Sequence, residues 1–476
     1  MGFPFKSLRD FLHYLEERGE LLRIKGQVDP RWEMGFIHKQ LHIKGGPALL
    51  YEDVKGQPGW QVVDNLLGSY ERCFAALNTT KDRVFDDYIE RTKHLLPPKI
   101  VDEAAFREVE LTGDDIDITQ IPVPTWAEHD GGPYITYGVV MVRDPVNGYQ
   151  NMAIYRMQVK GPRKTGILIH VPQHIAHILA RYEERGERMP VAVALGVDPL
   201  VHLCCEATVP YGVSEMDVWG ALAGEPLQVV RCRESDLLVP ASAEIVLEGY
   251  VDLKEREPEG PFGEFTGYYS GIYNMNVFHI TRLSRRKDAI YQATSVGKPP
   301  TEGTLVEGLM KCLESVKYLR QSIPQVRACR SLGTSALMCV VSISRSGIYP
   351  GIAFRVGNAL WTSAAGRSFK NILVVDGDID IYNDSDIWWA FSTRYQGDRD
   401  THFIPNVQGL FLDPSERPSI AGDLREVVGG SLTCKAVFDL TQPLPPYDEG
   451  YRRGVVDQPE EVKERVLKRW KELGLP

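Results

Sequence analysis

Leu8, Phe11, Leu12 and Leu15 recur at the three- and four-residue spacing of a helix face. Ser7 before them suits an N-cap and Gly19 after them suits a helix stop, so the chain is predicted to open on an amphipathic helix. Up to about residue 113, further helical stripes mix with short strands such as Ala48–Glu52. A proline-marked passage from Asp114 to Pro124 follows, and the period then changes towards two. Short strands are predicted at Ile135–Val142, Asn151–Val159, Val191–Leu195, Leu227–Cys232 and Val277–Leu283. Many short strands separated by turns predict a sandwich or barrel. Beyond Gly297–Thr301 the pattern alternates: a helix near Val306–Val316, a strand at Ala336–Ile343, a helix near Ala359–Phe369 and a strand at Ile372–Val375. That alternation predicts an α/β layer. At the C-terminal end, Asp457 and Glu460 form an expected capping box. Val462, Val466, Trp470 and Leu473 form the stripe, with Trp470 set to pack on another domain or subunit. The expected division is 1–113, 114–303 and 304–476, a mixed α/β (α+β) chain in three parts.

Composition narrows the partners. The 476 residues suffice for two or three domains, and 43% hydrophobic with 25% charged residues is ordinary for a globular protein. A net charge of −10 argues against nucleic acid or an anionic membrane surface as main partner. No apolar run reaches membrane-spanning length and no signal peptide is read. The eight cysteines include no Cys-x-x-Cys pair, so a reduced, cytoplasmic protein is expected.

The segment richest in chemistry is Glu259-Gly-Pro-Phe-Gly-Glu264. Its glycines and proline resist a regular helix, so it reads as a shaped turn able to aim two carboxylates at one point. A carboxyl group among the aromatics that follow can serve as a proton donor; the alternative is a solvated acidic loop. His170, His174 and His177 could share a metal or be structural, with Pro172 in the first turn of a helix. Along Asn151–Arg156, strand alternation places Asn151, Ala153 and Tyr155 on one face and Met152, Ile154 and Arg156 on the other. Ser214 is a predicted N-cap, which puts Glu215 in a first helical turn, where it could serve only the dipole. The acidic stretch Asp376–Asp380 follows an apolar strand and is read as a structural turn.

Together these motifs resemble the UbiD-type (de)carboxylases, which use prenylated FMN. The likeness runs from the N-terminal helix to Lys435–Asp439, and the Glu259–Glu264 stretch is its most specific element. The resemblance implies an N-terminal α/β region, a central split β-barrel of flavin-reductase-like type that carries the cofactor, and a C-terminal α/β oligomerisation domain. It implies that Arg156, Glu259 and Glu264 form the catalytic trio. Asn151, His174 and Glu215 would bind a divalent metal, usually manganese, that also holds the cofactor phosphate. Ile154, Tyr155, Arg156, Gln173 and Lys370 fall at further cofactor-contacting positions. Many members also bind potassium through main-chain and hydroxyl oxygens before the metal-binding Glu; here Leu203-Cys-Cys-Glu206 departs from that pattern. The cofactor forms an adduct with the substrate and takes up the electrons released as CO2 leaves.

The implied reaction is reversible decarboxylation of an aromatic acid, closer to the hydroxybenzoate branch than to cinnamate decarboxylases, with Glu264 protonating the carbon that loses CO2. Tyr268, Tyr269, Tyr273 and Cys329–Thr334 are candidate pocket residues. A flavin prenyltransferase would supply the cofactor, and the chain would form a homo-oligomer, dimer or hexamer. Rival readings are a prenylated 4-hydroxybenzoate or an aromatic CoA ester as substrate. From another class comes a flavin-independent metallohydrolase built on His170–His177.

Overall fold

The computed structural model describes residues 3–43, 45–170, 173–333, 336–416 and 432–475. The first helix, Leu8–Glu17, forms as the stripe predicts. Ser7 Oγ accepts the Asp10 N–H at 3.2 Å, and Leu8, Phe11, Leu12 and Leu15 are buried. Three short strands, Leu21–Ile24, Ala48–Tyr51 and Gln61–Asp64, make a sheet completed by Ile290–Gln292 from far along the chain. Lys99–Ile100 and Val109–Thr112 likewise pair with strands from beyond residue 113.

The central element is a nine-stranded sheet built around a long antiparallel hairpin, Ile245–Glu259 with Tyr273–Arg285. Two strands that the alternation joins are broken in the structure. Ile135–Val142 divides into Tyr134–Ile135 and Val139–Arg143, and Asn151–Val159 divides into Gln150–Ile154 and Met157–Gly161. The second break shapes the sheet. Gln150–Ile154 lies at one end of the strand order, and Met157–Gly161 lies six strand steps away, next to the other end. In a flat sheet those strands would stand about 29 Å apart at about 4.8 Å per step. The link from Ile154 to Met157 spans at most about 11 Å. The sheet is therefore curled into a half-barrel, and Tyr155 and Arg156 sit at its seam. The expected two-face alternation holds through Tyr155, with Met152 and Ile154 on one core and Ala153 and Tyr155 on the other, and ends at Arg156, beyond the strand.

Val191, Val193 and Leu195 point into the barrel with Tyr134, Leu247 and Phe278. The intervening Ala192 and Ala194 face a larger core shared with the first helix and the C-terminal region. That region is a five-stranded sheet ordered Val326–Ser331, Met338–Ile343, Asn371–Asp376, Leu432–Asp439, Thr401–Gln408. Ile372 and Val374 pack on one face and Leu373 and Val375 on the other.

Helix Glu302–Leu319 covers the expected position, but the helix expected near 359–369 runs over Ile352–Thr362. Ser363 Oγ accepts the Gly366 N–H at 2.9 Å, and Gly366 packs directly on Leu360, so the chain turns back there. The last helix, Glu460–Lys468, lacks the expected capping box: Pro459 holds the N-cap position and Asp457 pairs with Lys463. Its stripe is half-buried at Val462 and Val466 and exposed at Trp470 and Leu473. No helix among the described residues is long and apolar enough to cross a membrane.

Candidate active site

The Glu259–Glu264 motif is the start of the loop that joins the long hairpin. Glu259 is the last residue of its strand, paired with Tyr273, and is fully buried. Gly260 then takes φ +103°, and a Cβ there would lie 2.4 Å from the Gly271 carbonyl oxygen. Only glycine fits both constraints. Gly260→Ala is accordingly expected to destabilise the fold by about 1–3 kcal/mol and to displace Glu264; thermal unfolding and turnover measured together check this. Beyond the bend, Asp130 Oδ1 accepts the Gly263 N–H at 2.8 Å, Ser270 Oγ accepts the Phe262 N–H at 3.1 Å, and the Tyr268 carbonyl accepts the Glu264 N–H at 2.9 Å. The loop is thus pinned on three sides.

Arg156, projecting from the barrel seam, meets this loop. Its Nε and Nη2 donate to the two Glu259 oxygens at 3.0 and 2.7 Å, a bidentate fork, while Nη1 pairs with Glu264. The guanidinium lies 5.0 Å from the Phe262 ring centre. All three charged side chains are at least nine-tenths buried, so the structure brings the expected trio together in one desolvated network.

A second convergence lies along the neighbouring strand. Glu215, in the first turn of the helix Glu215–Ala223 capped by Ser214, reaches back to Gln150–Ile154 rather than merely serving the dipole. It accepts the Met152 N–H at 2.8 Å and Asn151 Nδ2 at 3.0 Å. Burial nevertheless pushes its carboxyl up to about 8. Tyr149 Oη stands 3.0 Å from His174 Nδ1 and 3.5 Å from Glu215 Oε1, which ties His174 into the same set. Burial holds the His174 imidazole below its ordinary value, favouring the neutral ring. Tyr155 Oη donates to Asn151 Oδ1 at 3.0 Å, and Ile154 ends the strand half-buried beside it.

The other histidines diverge. His170 packs on Phe411 with ring centres 4.7 Å apart, whereas His174 and His177 flank Tyr211. Among the described residues no three His, Cys, Asp or Glu side chains cluster as a metal site. Pro172 lies outside the described residues. Asp376 and Asp378 pair with Arg394, and Asp380 with Lys81, so the acidic turn is structural.

A cavity of about 490 Å³ separates the barrel from the C-terminal region. Gln173, whose Oε1 accepts the His170 N–H, and Phe265, the neighbour of Glu264, form part of its barrel wall. The opposite wall carries three cations that sequence reasoning missed, Arg367, Lys435 and Lys311, the last paired with Glu307. Lys435 Nζ donates to the Arg367 carbonyl, and burial lowers its ammonium to about 8. Lys370 is instead paired with Asp413 and Ser415, both at 2.6 Å. Tyr268 and Tyr269 line a different cavity, Cys329 is buried against Cys312 in the core, and Thr334 lies outside the described residues. Tyr149 and Asp130 were also missed; no spacing rule links a loop aspartate to a turn 133 residues away.

The chain matches one family along nearly its whole length. Residues 12–92, 99–299 and 304–440 match the N-terminal, Rift-related and C-terminal domains of the 3-octaprenyl-4-hydroxybenzoate carboxy-lyase (UbiD) models. The chain belongs to the UbiD family and is a carboxy-lyase of that class. It is 35% identical over 475 residues to a phenolic acid decarboxylase of Bacillus subtilis, covering 97% of both chains. Two solved structures are similar throughout. One is vanillic acid decarboxylase of Sedimentibacter hydroxybenzoicus in open form (TM-score 0.86, 31% identity, 99% of each chain). The other is the UbiD-class enzyme HmfF of Pelotomaculum thermopropionicum in complex with FMN (TM-score 0.85, 32% identity, 96% of this chain and 98% of that one).

Proposed function

We propose that the protein decarboxylates an aromatic acid of the hydroxylated benzoic type, reversibly, with prenylated FMN as cofactor. The observation that carries this reading is the Arg156 fork closed on Glu259 with Glu264 on its remaining nitrogen, beside a cavity between two domains. The names of the similar phenolic and vanillic acid decarboxylases favour the substrate class, and the FMN complex of a similar enzyme favours a flavin.

The residues fit the cofactor. About 490 Å³ lies within the usual range of a cofactor cavity, and Arg367 and Lys435 offer the positive charge that a phosphate dianion needs. Asn151, His174 and Glu215 present an oxygen–nitrogen–oxygen set suited to a divalent cation such as manganese, which would hold the buried Glu215 carboxylate in its ionised form. Lys370 would reach the phosphate by exchanging it for Asp413. Leu203, Cys204 and Cys205 are packed in the core, so potassium there would find main-chain oxygens and the Glu206 carboxyl rather than hydroxyls.

When bound, prenylated FMN supplies a sink for the electrons left on the carbon that loses CO2. The chain does the rest. Arg156 holds the substrate carboxylate and the glutamates in fixed relation, and the buried network excludes water from the developing carbanion. Glu264, which takes up a proton when the substrate carboxylate replaces it on Arg156, then delivers that proton to the same carbon. Glu259 anchors the guanidinium from a fully buried position. Exposed Trp388, Trp389 and Phe403 on the C-terminal region mark the face that a second copy would cover.

Protein co-expressed with a flavin prenyltransferase tests the reading. Release of CO2 from 4-hydroxybenzoate or vanillate, with bicarbonate exchange into the acid, is expected. Flavin-loaded protein inert towards every phenolic acid would overturn it. The Lys435 ammonium adds a pH signature. Its pKa is lowered to about 8, so the charge that attracts phosphate is present below that value and lost above it. FMN affinity measured by flavin fluorescence should therefore fall as pH rises through about 8, and Lys435→Met should remove that dependence.

A further inference from the structure

We propose a second binding site, for a planar aromatic carboxylate, in the cavity of about 310 Å³ between the N-terminal region and the far side of the Glu264 loop. Phe265 faces the cavity described above, whereas Gly263, Gly267, Tyr268 and Tyr269 of the same loop face this one. Two cavities thus share one catalytic loop.

Three independent features point to a ligand. His38 and Trp126 line the cavity, and their Nε2 and Nε1 atoms are buried without a hydrogen-bond partner, the residues being only 1% and 5% exposed. A buried polar atom without a partner costs about 1–3 kcal/mol, which a ligand that reached it would offset. His38 is also oriented from behind, with Nδ1 2.7 Å from the fully buried Asp64. Secondly, Trp32 forms the wall in a backbone conformation that L-residues avoid, φ 75° and ψ −34° at the N-cap of helix Glu33–His42, and leaves its ring 41% exposed. Its own indole N–H is satisfied by the Ala127 carbonyl at 3.1 Å, and the Arg31 guanidinium lies over the ring, 4.3 Å from its centre. Strain of this kind persists where the surroundings impose it and clusters at ligand clamps. Thirdly, Lys39 and Lys298 stand exposed at the rim with no carboxylate partner among the described residues, in a chain of net charge −10.

Aromatic walls take a flat ring. Two ammonium groups and the Trp126 N–H take an anion rather than a cation. An aromatic carboxylate satisfies both demands at once. Because the Tyr268 carbonyl accepts the Glu264 N–H, a ligand seated against Tyr268 also steadies the catalytic loop.

The walls alone define the chemistry; the choice of 4-hydroxybenzoate as probe rests on the function proposed above. Equilibrium dialysis of the FMN-loaded full chain against labelled 4-hydroxybenzoate should give two equivalents per protomer, and Lys39→Ala/Lys298→Ala should bind one. If the catalytic centre takes a different substrate but this site is real, the parent binds one equivalent and the double variant none. One equivalent in both proteins, or two in both, overturns the site. Displacement of the second equivalent by inorganic phosphate as readily as by benzoate overturns its aromatic character. Trp32→Gly provides a variant that relieves strain rather than adding it: an unfolding midpoint at or above the parent's is expected together with loss of the second equivalent. Retention of that equivalent counts against the site.

Discussion

Glu264→Gln is expected to lower turnover by about 10²–10⁴-fold while leaving flavin content unchanged. Glutamine keeps the size of the side chain and one carbonyl oxygen for Arg156 Nη1, so the network around Glu259 should stand. What it lacks is a transferable proton. Glu264 makes no contact with Asn151, His174 or Glu215, and the nearest chain element in the main cavity is Phe265, so cofactor loading has no reason to fall. Flavin absorbance per protomer and initial rates, measured on the same samples, separate chemistry from loading. A variant as fast as the parent at equal flavin content would show that the proton comes from elsewhere. Comparison with Glu259→Gln sharpens the assignment. Glu259 is the fully buried partner of a bidentate fork, so its substitution should disturb Arg156 and stability as well as rate.

The parts of this site that were legible in the sequence are those where local chemistry dictates local geometry. Glycines at 260 and 263 with Pro261 announce a turn whatever surrounds it, and Ser7 and Ser214 cap the helices they precede. Along Asn151–Arg156 the alternation was legible as far as Tyr155, and the single long strand fails beyond it because alternation assumes one sheet neighbour along the whole run. The pairing switches at Tyr155–Arg156, and the curl of the sheet follows from that switch. The helix Asp384–Arg394 escaped notice because Trp388 and Trp389 are exposed on it, which blurs the stripe that would mark a buried face. Arg367, Lys435 and Asp130 were invisible for another reason. Each acts on a partner brought close only by tertiary folding, and no periodicity encodes that. Lys370 shows the converse: its place before an apolar strand was correct, yet its ammonium is engaged by Asp413 and Ser415 rather than facing the cavity.

Arg156→Ala should be the most destabilising single change at the site, by about 3–5 kcal/mol, because it strands two carboxylates in a desolvated space. Glu259 is fully buried and the Glu264 side chain is 8% exposed, so water cannot replace the guanidinium without opening the loop. The packing of Arg156 over Phe262 is lost as well. Arg156→Lys keeps a charge but not the planar fork that spans both Glu259 oxygens, and should fall between the parent and the alanine variant. The decisive comparison is the double variant Arg156→Ala/Glu259→Gln. If the penalty comes from unpaired charge, removing one carboxylate should restore part of the stability that Arg156→Ala loses, a non-additive result readable in urea midpoints. Additive losses would mean instead that Arg156 stabilises the seam through packing alone, and that the trio is a catalytic arrangement with no electrostatic grip on the fold.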